Sequence, residues 1–517
     1  MTVEETQVAE VVVVPREEAE KVVCENEKVG EGDDKVKEVE AAESKPKTVE
    51  KSSSYKEESN YLSDLKEFEK KALSELKSKL EEAILGNNIF KKEEPKKEEK
   101  KVAEEVVKTE EVEKTEEEVK TQEEEEEEKE EKPQEVFDKK AEEVAGENEK
   151  EAEEGEEVKK SEDGCEVVDK DISLWGVPLF PGKGFEGTDV VLLKFLRARE
   201  FKVNEAFEML KKTLQWRKES KIDSILDEDV CADLSSAAYL NGVDREGHPV
   251  CYNIFGVFDN EELYQKTFGN EEKRGQFLRW RLQLMEKSVQ KLDLRPGGVT
   301  SLLQINDLKN SPGPVKKELR IATKQAVGLL QDNYPELVAK NIFINVPFWY
   351  YALNALLSPF LTQRTKSKFV VARPTKVTET LLKYIPAQEI PAQYGGFKRD
   401  NDNEFSAEDG AVSELILTAG STGTIQIDAA EQVGSTILWD LTVLGWEVNY
   451  KEEFVPIDEG SYTIIVQKKK KMGSNEGPIR NTFRSNEPGK VVLTIENKSS
   501  KKKRVLYRYK AKKCSTF

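Results

Sequence analysis

Residues 342–346 and 369–372 are short apolar runs that read as strands. Between them, residues 347–361 are apolar on nearly every side, with Phe348, Trp349, Tyr350, Leu353, Leu357 and Phe360. A helix that is apolar all round is buried or faces lipid. This one is too short to cross a bilayer, which takes about 20 apolar residues. Arg364, Lys366 and Lys368 follow at once. Two folds accommodate the pattern. One is an ordinary βαβ crossover with a core helix. The other is a lid over an apolar pocket that opens at a membrane surface.

The net charge of −21 is unevenly spread. Through Lys170 there are 31 Lys and Arg against 58 Asp and Glu, a balance of −27; the remainder holds 50 against 44, a balance of +6. Residues 1–165 are poor in aromatics and carry an unbroken acidic run at 123–128. Such a composition cannot bury enough apolar surface to offset chain entropy, so disorder is expected there. One island departs from it. Leu62, Leu65, Phe68, Ala72, Leu76, Leu80 and Ala83 recur at steps of three or four, which predicts an amphipathic helix over about 61–85. It reads either as a partner-binding helix or as a transient solvated one.

Five scattered cysteines form no C-x-x-C pair, which argues against a disulfide framework or a cysteine zinc site. The chain opens on acids, and its apolar Val11–Val14 run stops at Pro15, so no signal peptide is expected. The sole histidine, His248, leaves little for Ser-His-Asp, Cys-His or multi-histidine metal chemistry. In DREGHPV it reads as a turn residue. G-x-S-x-G is absent, so a lipid-cleaving enzyme is disfavoured and no catalytic or metal-ligating residue is assigned. Gly182, Gly184 and Gly187 fit G-x-G-x-x-G, but a dinucleotide site needs a strand before them and prolines stand there instead.

From Asp171 the texture becomes globular. A helical hairpin is predicted from DVVLLKFLRARE and EAFEMLKKTLQWRKES. Strands are then expected at 249–255, 300–306, 341–346 and 368–372, alternating with helices near 272–293, 314–331, 347–361 and 376–385. That alternation predicts an α/β domain with a largely parallel sheet. After the acidic stretch 400–409 the period changes to two, in TIQID, TILWDLTVL, SYTIIVQ, KVVLTIEN and RVLYRYKAK. The alternation predicts a β-sandwich with Ile437, Trp439, Leu441 and Val443 on one face. Lys468, Lys469, Lys470, Lys471, Lys501, Lys502, Lys503 and Arg504 form basic clusters on it. They read either as solvated turn lysines or as contacts to an anionic membrane.

The strings ISLWGVPL, DVVLLKFLRAREFKV, LQWRKE, QINDLKN, LQDNYPE, FINVPFWY and IPAQYGGF together resemble the plant patellins. The resemblance covers residues 171–517 and extends to SYKEESNYLSDLKEFEKKALSELK. It implies a multidomain chain: an acidic region at 1–165, a CRAL-TRIO helical subdomain at 171–240, a CRAL-TRIO lipid-binding domain at 241–398 and a GOLD β-sandwich at 405–513.

By the same resemblance, an Arg, a Glu, a Thr and a Lys surround an inositol phosphate; here these are Arg199, Glu336, Thr365 and Lys368. Where the family often has Lys after the Arg, this chain has Glu200. Members that hold phosphatidylcholine place a hydroxyl pair where this chain has Leu302 and Gln304, so choline-headgroup binding is not implied. The function implied is that of a cytoplasmic, peripherally membrane-associated, non-enzymatic lipid carrier or sensor. No cofactor is implied beyond a bound phospholipid, phosphatidylinositol or a phosphoinositide. Its partners are phosphoinositides and anionic membrane surfaces, with protein partners through the acidic region and GOLD domain, and no nucleic acid. The setting is membrane trafficking and cell-plate formation in plant cytokinesis. The competing reading is a protein-interaction adaptor whose lipid domain is only structural.

Overall fold

The computed structural model describes residues 11–14, 57–90, 171–230, 232–312, 316–347, 350, 363–406, 409, 412–429 and 434–512. Most of the acidic region expected to be disordered, and nearly all of the 347–361 helix, therefore lie outside the described residues. Within the acidic third, a strand β1 (Val11–Val14) and a helix α1 (Glu67–Leu85) form. Helix α1 buries Leu73, Leu76 and Leu80, and the turn before it buries Leu65, while Leu62 and Phe68, expected on the apolar face, are exposed. It is neither transient nor held for a foreign partner. Lys77 reaches Asp189 at 2.7 Å, and the Phe68 ring meets Phe201 edge-on at 5.5 Å.

A small hairpin, β2 (Ser173–Leu174) and β3 (Val177–Pro178), leads into helices α2 (Glu186–Ala198) and α3 (Val203–Glu219). Helix α2 is buried on all sides, including Lys194 and Arg197. That explains why VVLLKFL lacks a clean helical stripe: it has no solvent face. The glycine motif lies in a 3-10 turn and the start of α2, after the two-residue antiparallel strand β3 and not after a strand of the parallel sheet.

The α/β domain runs β4 (Ala238–Val243), β5 (Pro249–Ile254), α4 (Glu261–Phe268), α5 (Glu271–Val289), β6 (Leu302–Asp307), α6 (Lys317–Asn333), β7 (Val338–Ile344), α7 (Gln363–Lys368), β8 (Phe369–Val371) and α8 (Val377–Tyr384). The sheet order is β4-β5-β6-β7-β8, parallel except for the β4–β5 pair. Strand β4 and helix α4 escaped the sequence reading. Strand β4 is half-buried along most of its length, so it lacks the continuous apolar run of a central parallel strand.

The C-terminal domain packs two sheets from β9 (Ser413–Leu417), β10 (Thr422–Asp428), β11 (Thr436–Val443), β12 (Val448–Pro456), β13 (Ile464–Met472), β14 (Ile479–Arg484), β15 (Gly489–Glu496) and β16 (Lys503–Lys512). One sheet runs β1-β10-β15-β12-β13, with β1 added to the β10 edge; the other runs β14-β11-β16-β9. Ile437, Trp439, Leu441 and Val443 fill the sandwich core. The other face of β11 is buried too, at Leu438, Asp440 and Thr442. There the sandwich meets the α/β domain: Leu506 of β16 joins the core made by Leu303, Ile305, Leu381 and Phe397.

Candidate functional site

Glu336 follows α6 and precedes β7. Its φ of 54° is a left-handed conformation that costs a non-glycine residue energy. The turn aims its carboxylate at two cations. Arg364 Nε donates to Oε1 at 2.8 Å, and Lys368 Nζ donates to Oε2 at 2.8 Å. Lys368 also donates to the Val338 carbonyl at 3.0 Å. A third cation comes from α2: Lys194 Nζ donates to the Glu336 carbonyl oxygen at 2.8 Å. Burial opposes ionisation of Glu336, but the bonds from Arg364 and Lys368 outweigh it and hold the carboxyl down at about 2. Burial acts the other way on Lys194 and pulls its ammonium down to about 7, against the attraction of Glu57 and Glu336.

A strap at residues 57–60 lies across these cations. Glu58 accepts from Arg364 at 2.9 Å. Its Oε2 stands 2.9 Å from Arg197 Nε, an ion pair without hydrogen-bond alignment. Arg197 instead donates to Asn60 Oδ1 and the Ser59 carbonyl, each at 2.6 Å. Glu57 sits between Ser301 and His248, with His248 Nε2 at 2.9 Å. The other ring nitrogen of His248 meets Asp244 at 2.8 Å. The Asp244 carboxylate also accepts the backbone N–H of Glu246 and of His248 at 2.8 Å. His248 is thus a turn residue, as expected, and also a buried anchor for the strap. Burial lowers its pKa, but the bonds to Asp244 and Glu57 prevail and raise it to about 9.

Of the four residues taken from the resemblance, Glu336 and Lys368 meet. Thr365 lies in α7 one turn before Lys368, and its side chain is outside the described residues. Arg199 does not join them. It caps the end of α2 and donates to the Ala198 carbonyl at 3.4 Å. The α2 arginine that reaches the cluster is Arg197, two residues earlier. Helical spacing explains the change: residues 194 and 197 share a face, whereas 199 lies past the last turn. Sequence reading missed Lys194, Glu57 and Glu58, and had Arg364 only as a cation of the basic run after the apolar segment. A lysine inside the apolar run VVLLKFL was the available signal for the first.

Among the lid residues, Phe348, Trp349, Leu353, Leu357 and Phe360 lie outside the described residues. Tyr350 is described, and its ring meets Phe343 of β7 at 5.5 Å. The basic residues of the sandwich divide. Lys468, Lys469, Lys470 and Lys471 are exposed on β13, which is a sheet edge, and Lys501 and Lys502 are exposed. Lys503 is not a surface cation, and Arg504 is a surface cation already paired. Lys503 is buried and donates to the Gly445 carbonyl at 3.2 Å, while Arg504 is paired with Glu414 at 2.7 Å. Lysines at a sheet edge also block edge-to-edge pairing. An unforeseen feature adjoins them: the β12–β13 hairpin displays Ile457, Tyr462, Ile464 and Ile465, with Tyr462 91% exposed.

Among the described residues, no helix is long and apolar enough to cross a membrane, and no cluster of His, Cys, Asp and Glu is arranged to hold a metal.

Three family models match. CRAL/TRIO, N-terminal domain, covers residues 72–212; CRAL/TRIO domain covers 234–396; Patellin-1-like, C-terminal GOLD domain, covers 418–503. Helix α1 thus falls largely within the first match, which begins well before the boundary of 171 set from sequence. Patellin-4 of Arabidopsis thaliana is 60% identical over 99% of this chain and 98% of its own length. Patellin-3 of the same plant is 51% identical over 66% of this chain and 70% of its own length. A protein named phosphatidylinositol transfer protein SFH5, from Kluyveromyces lactis, is 30% identical over 51% of this chain and 88% of its own length.

Proposed function

From the membership of this chain in the patellin family, we propose that it is a peripheral, non-enzymatic lipid carrier or sensor. Its α/β domain encloses one phospholipid, and its cation cluster reads an anionic headgroup, phosphatidylinositol or a phosphoinositide. The observation that carries this reading is the convergence of Lys194 and Arg197 of α2 with Arg364 and Lys368 of α7 around Glu336. Three acids answer four cations once the strap is included, and two of those acids, Glu57 and Glu58, belong to the strap. Removing Glu58 would leave guanidinium and ammonium groups arrayed as phosphate demands. Glu336 would then be free to accept inositol hydroxyls. Thr365 takes the family's hydroxyl position.

Membrane docking would fall to the sandwich. The apolar tip Ile457, Tyr462, Ile464 and Ile465 can enter the headgroup boundary. The exposed lysines behind it meet anionic lipid, at about 1 kcal/mol each. The 347–361 segment would act as the gate. The cellular setting is cytoplasmic, in membrane trafficking and cell-plate formation during plant cytokinesis.

Native mass spectrometry of the full chain tests the reading. A carrier retains one phospholipid per chain with an inositol headgroup, and hands it to acceptor vesicles. A chain that is lipid-free and inert in transfer would instead be the adaptor.

A further inference from the structure

The two faces of the α/β sheet differ in chemistry. One face presents Val250, Tyr252, Leu303, Ile305, Ile342 and Ile344 to a dry core. On the other, strand pairing aligns Cys251, Gln304 and Asn341 in one row and Asn253, Asn306 and Phe343 in the next. Four of these six side chains are amides. Asn253 and Asn306 are buried, and Gln304 and Asn341 are half-buried; amides withdrawn from water in this way must find partners within the protein or on a ligand.

Arg281 of α5 lies against this face. Its NH1 donates to Asn253 Oδ1 at 2.8 Å, and Asn253 donates to Asn306 Oδ1 at 3.1 Å. Among the described residues no carboxylate pairs with Arg281. The ionisable group coupled to it is Cys251, whose thiol is pushed up to about 11 by burial and is therefore neutral. Burial also lowers the pKa of Arg281. A desolvated guanidinium without a counter-charge is costly, and such groups are normally matched by an anion. Arg281, Asn253, Gln304 and Asn306 line a cavity of about 110 Å³ whose remaining walls include Phe258, Phe277 and Leu330. The lining reaches Val327, which is 46% exposed.

This cavity is separate from the cluster at Glu336. Lys368 bonds the carbonyl of Val338, which pairs with Leu302 at the start of β6. Asn306 is four residues further along that strand, or about 13 Å at ~3.3 Å per residue. A phospholipid whose phosphate sits at the outer cluster has no anion to offer there, since acyl chains end in methyl groups.

We propose that Arg281, with Asn253, Gln304 and Asn306, is a second ligand site that takes the carboxylate of a single-chain amphiphile such as a free fatty acid. The inference rests on reading the α/β domain as an enclosed lipid site, and it adds a cargo class to that reading. The carboxylate accepts from the guanidinium and the amide NH2 groups, while the first carbons of the chain lie on the aromatic walls.

The test is equilibrium binding of oleate, methyl oleate and lysophosphatidate to the delipidated full chain, followed by native mass spectrometry and thermal shift. The wild-type chain should bind one oleate, at least tenfold more tightly than the uncharged ester. Arg281→Met should erase that preference without weakening the ester, and Arg281→Lys should restore part of it. Equal affinity for oleate and its ester overturns the proposal, and this comparison needs no variant to fold. Tighter binding of lysophosphatidate than of oleate overturns the carboxylate assignment. Phosphatidylinositol transfer separates the two readings. It should survive Arg281→Met. Its absence from the wild-type chain with oleate binding intact would remove the phosphatidylinositol reading and leave this one standing.

Discussion

The chain contains two arginine-rich clusters with opposite designs. At the junction between the domains, Asp440 is fully buried and accepts from three guanidiniums: Arg399, Arg480 and Arg508, each at 2.8 Å. Asp402 accepts twice more from Arg480, and Arg508 stacks over Phe405 at 4.1 Å. Every strand and loop involved is fixed, and Arg508 also donates to the Phe397 carbonyl at 3.1 Å. At the Glu336 cluster two of the three acids, Glu57 and Glu58, arrive on a strap. A closed network of this kind sets the geometry of a fold. An open one leaves charge to be satisfied by something that can leave. The difference teaches that the type of residue does not separate structural from binding clusters; the source of the counter-charge does.

Breaking the closed cluster should have the largest effect. Asp440→Ala takes the carboxylate from Arg399 and leaves Arg480 and Arg508 with Asp402 alone, and removal of one partner from a buried ionic network costs about 3–5 kcal/mol. Chemical denaturation of the full chain should show this loss. Phosphatidylinositol affinity, measured below the transition, should hold. A variant as stable as the parent would mean that Asp440 is not the keystone of the junction.

The open cluster should respond the other way. Lys368→Ala removes one charged hydrogen-bond donor, worth about 1.5–3 kcal/mol. Phosphatidylinositol affinity should fall roughly 10- to 100-fold, with only a minor shift in the denaturation midpoint. A large loss of stability with unchanged transfer would make this cluster structural as well.

How far the sequence reached follows the same line. The α/β alternation, the switch to period two and the sandwich core at Trp439 were all legible, because periodicity records which face is buried. Glu336 and Lys368 were reached only through a resemblance. Arg197 was not, because two arginines two residues apart cannot be told apart until the helix has a known end. The strap was invisible. Glu57 and Glu58 sit in a third of the chain where acids are everywhere, and nothing in composition distinguishes a docked glutamate from a solvated one. The second buried face of β11 was missed for a related reason: Asp440 reads as a solvent-facing residue until its three arginines are brought from residues 399, 480 and 508.

A smaller effect is expected from the strap itself. Glu58→Gln keeps its shape and removes its charge. Partly exposed ion pairs contribute about 0–1 kcal/mol, so stability should barely move. Affinity for vesicles containing phosphatidylinositol should rise a few-fold, because Arg197 and Arg364 lose a competing anion. Weaker binding by this variant would show that Glu58 supports the headgroup site and does not compete with it.

The least effect, and the most specific, is one of pH. His248 is raised to about 9 by Asp244 and Glu57, against its burial, with Glu246 the other acid near it at 4.0 Å. Its contribution to holding the strap is therefore complete below about 6.5, the unfolded value, and is lost as pH rises through 9. Glu57 is held at about 2 by the bonds from His248 and Ser301, which overcome its burial. Its contribution is present above the unfolded value of about 4.5 and fades only as pH falls toward 2. The two windows overlap between roughly pH 4.5 and 6.5, where strap and site are bound most firmly. Hydrogen exchange of the amides at 57–60, corrected for the intrinsic pH dependence of exchange, should show protection at pH 6 that weakens by pH 9. The Asp440 junction is built without a histidine, so its amides should keep their protection. His248→Gln should flatten the response of the strap alone. An equal pH response in that variant would assign it to Lys194, whose ammonium is lowered to about 7 by burial and is attracted by Glu57, and would leave the histidine only the turn residue its sequence suggested.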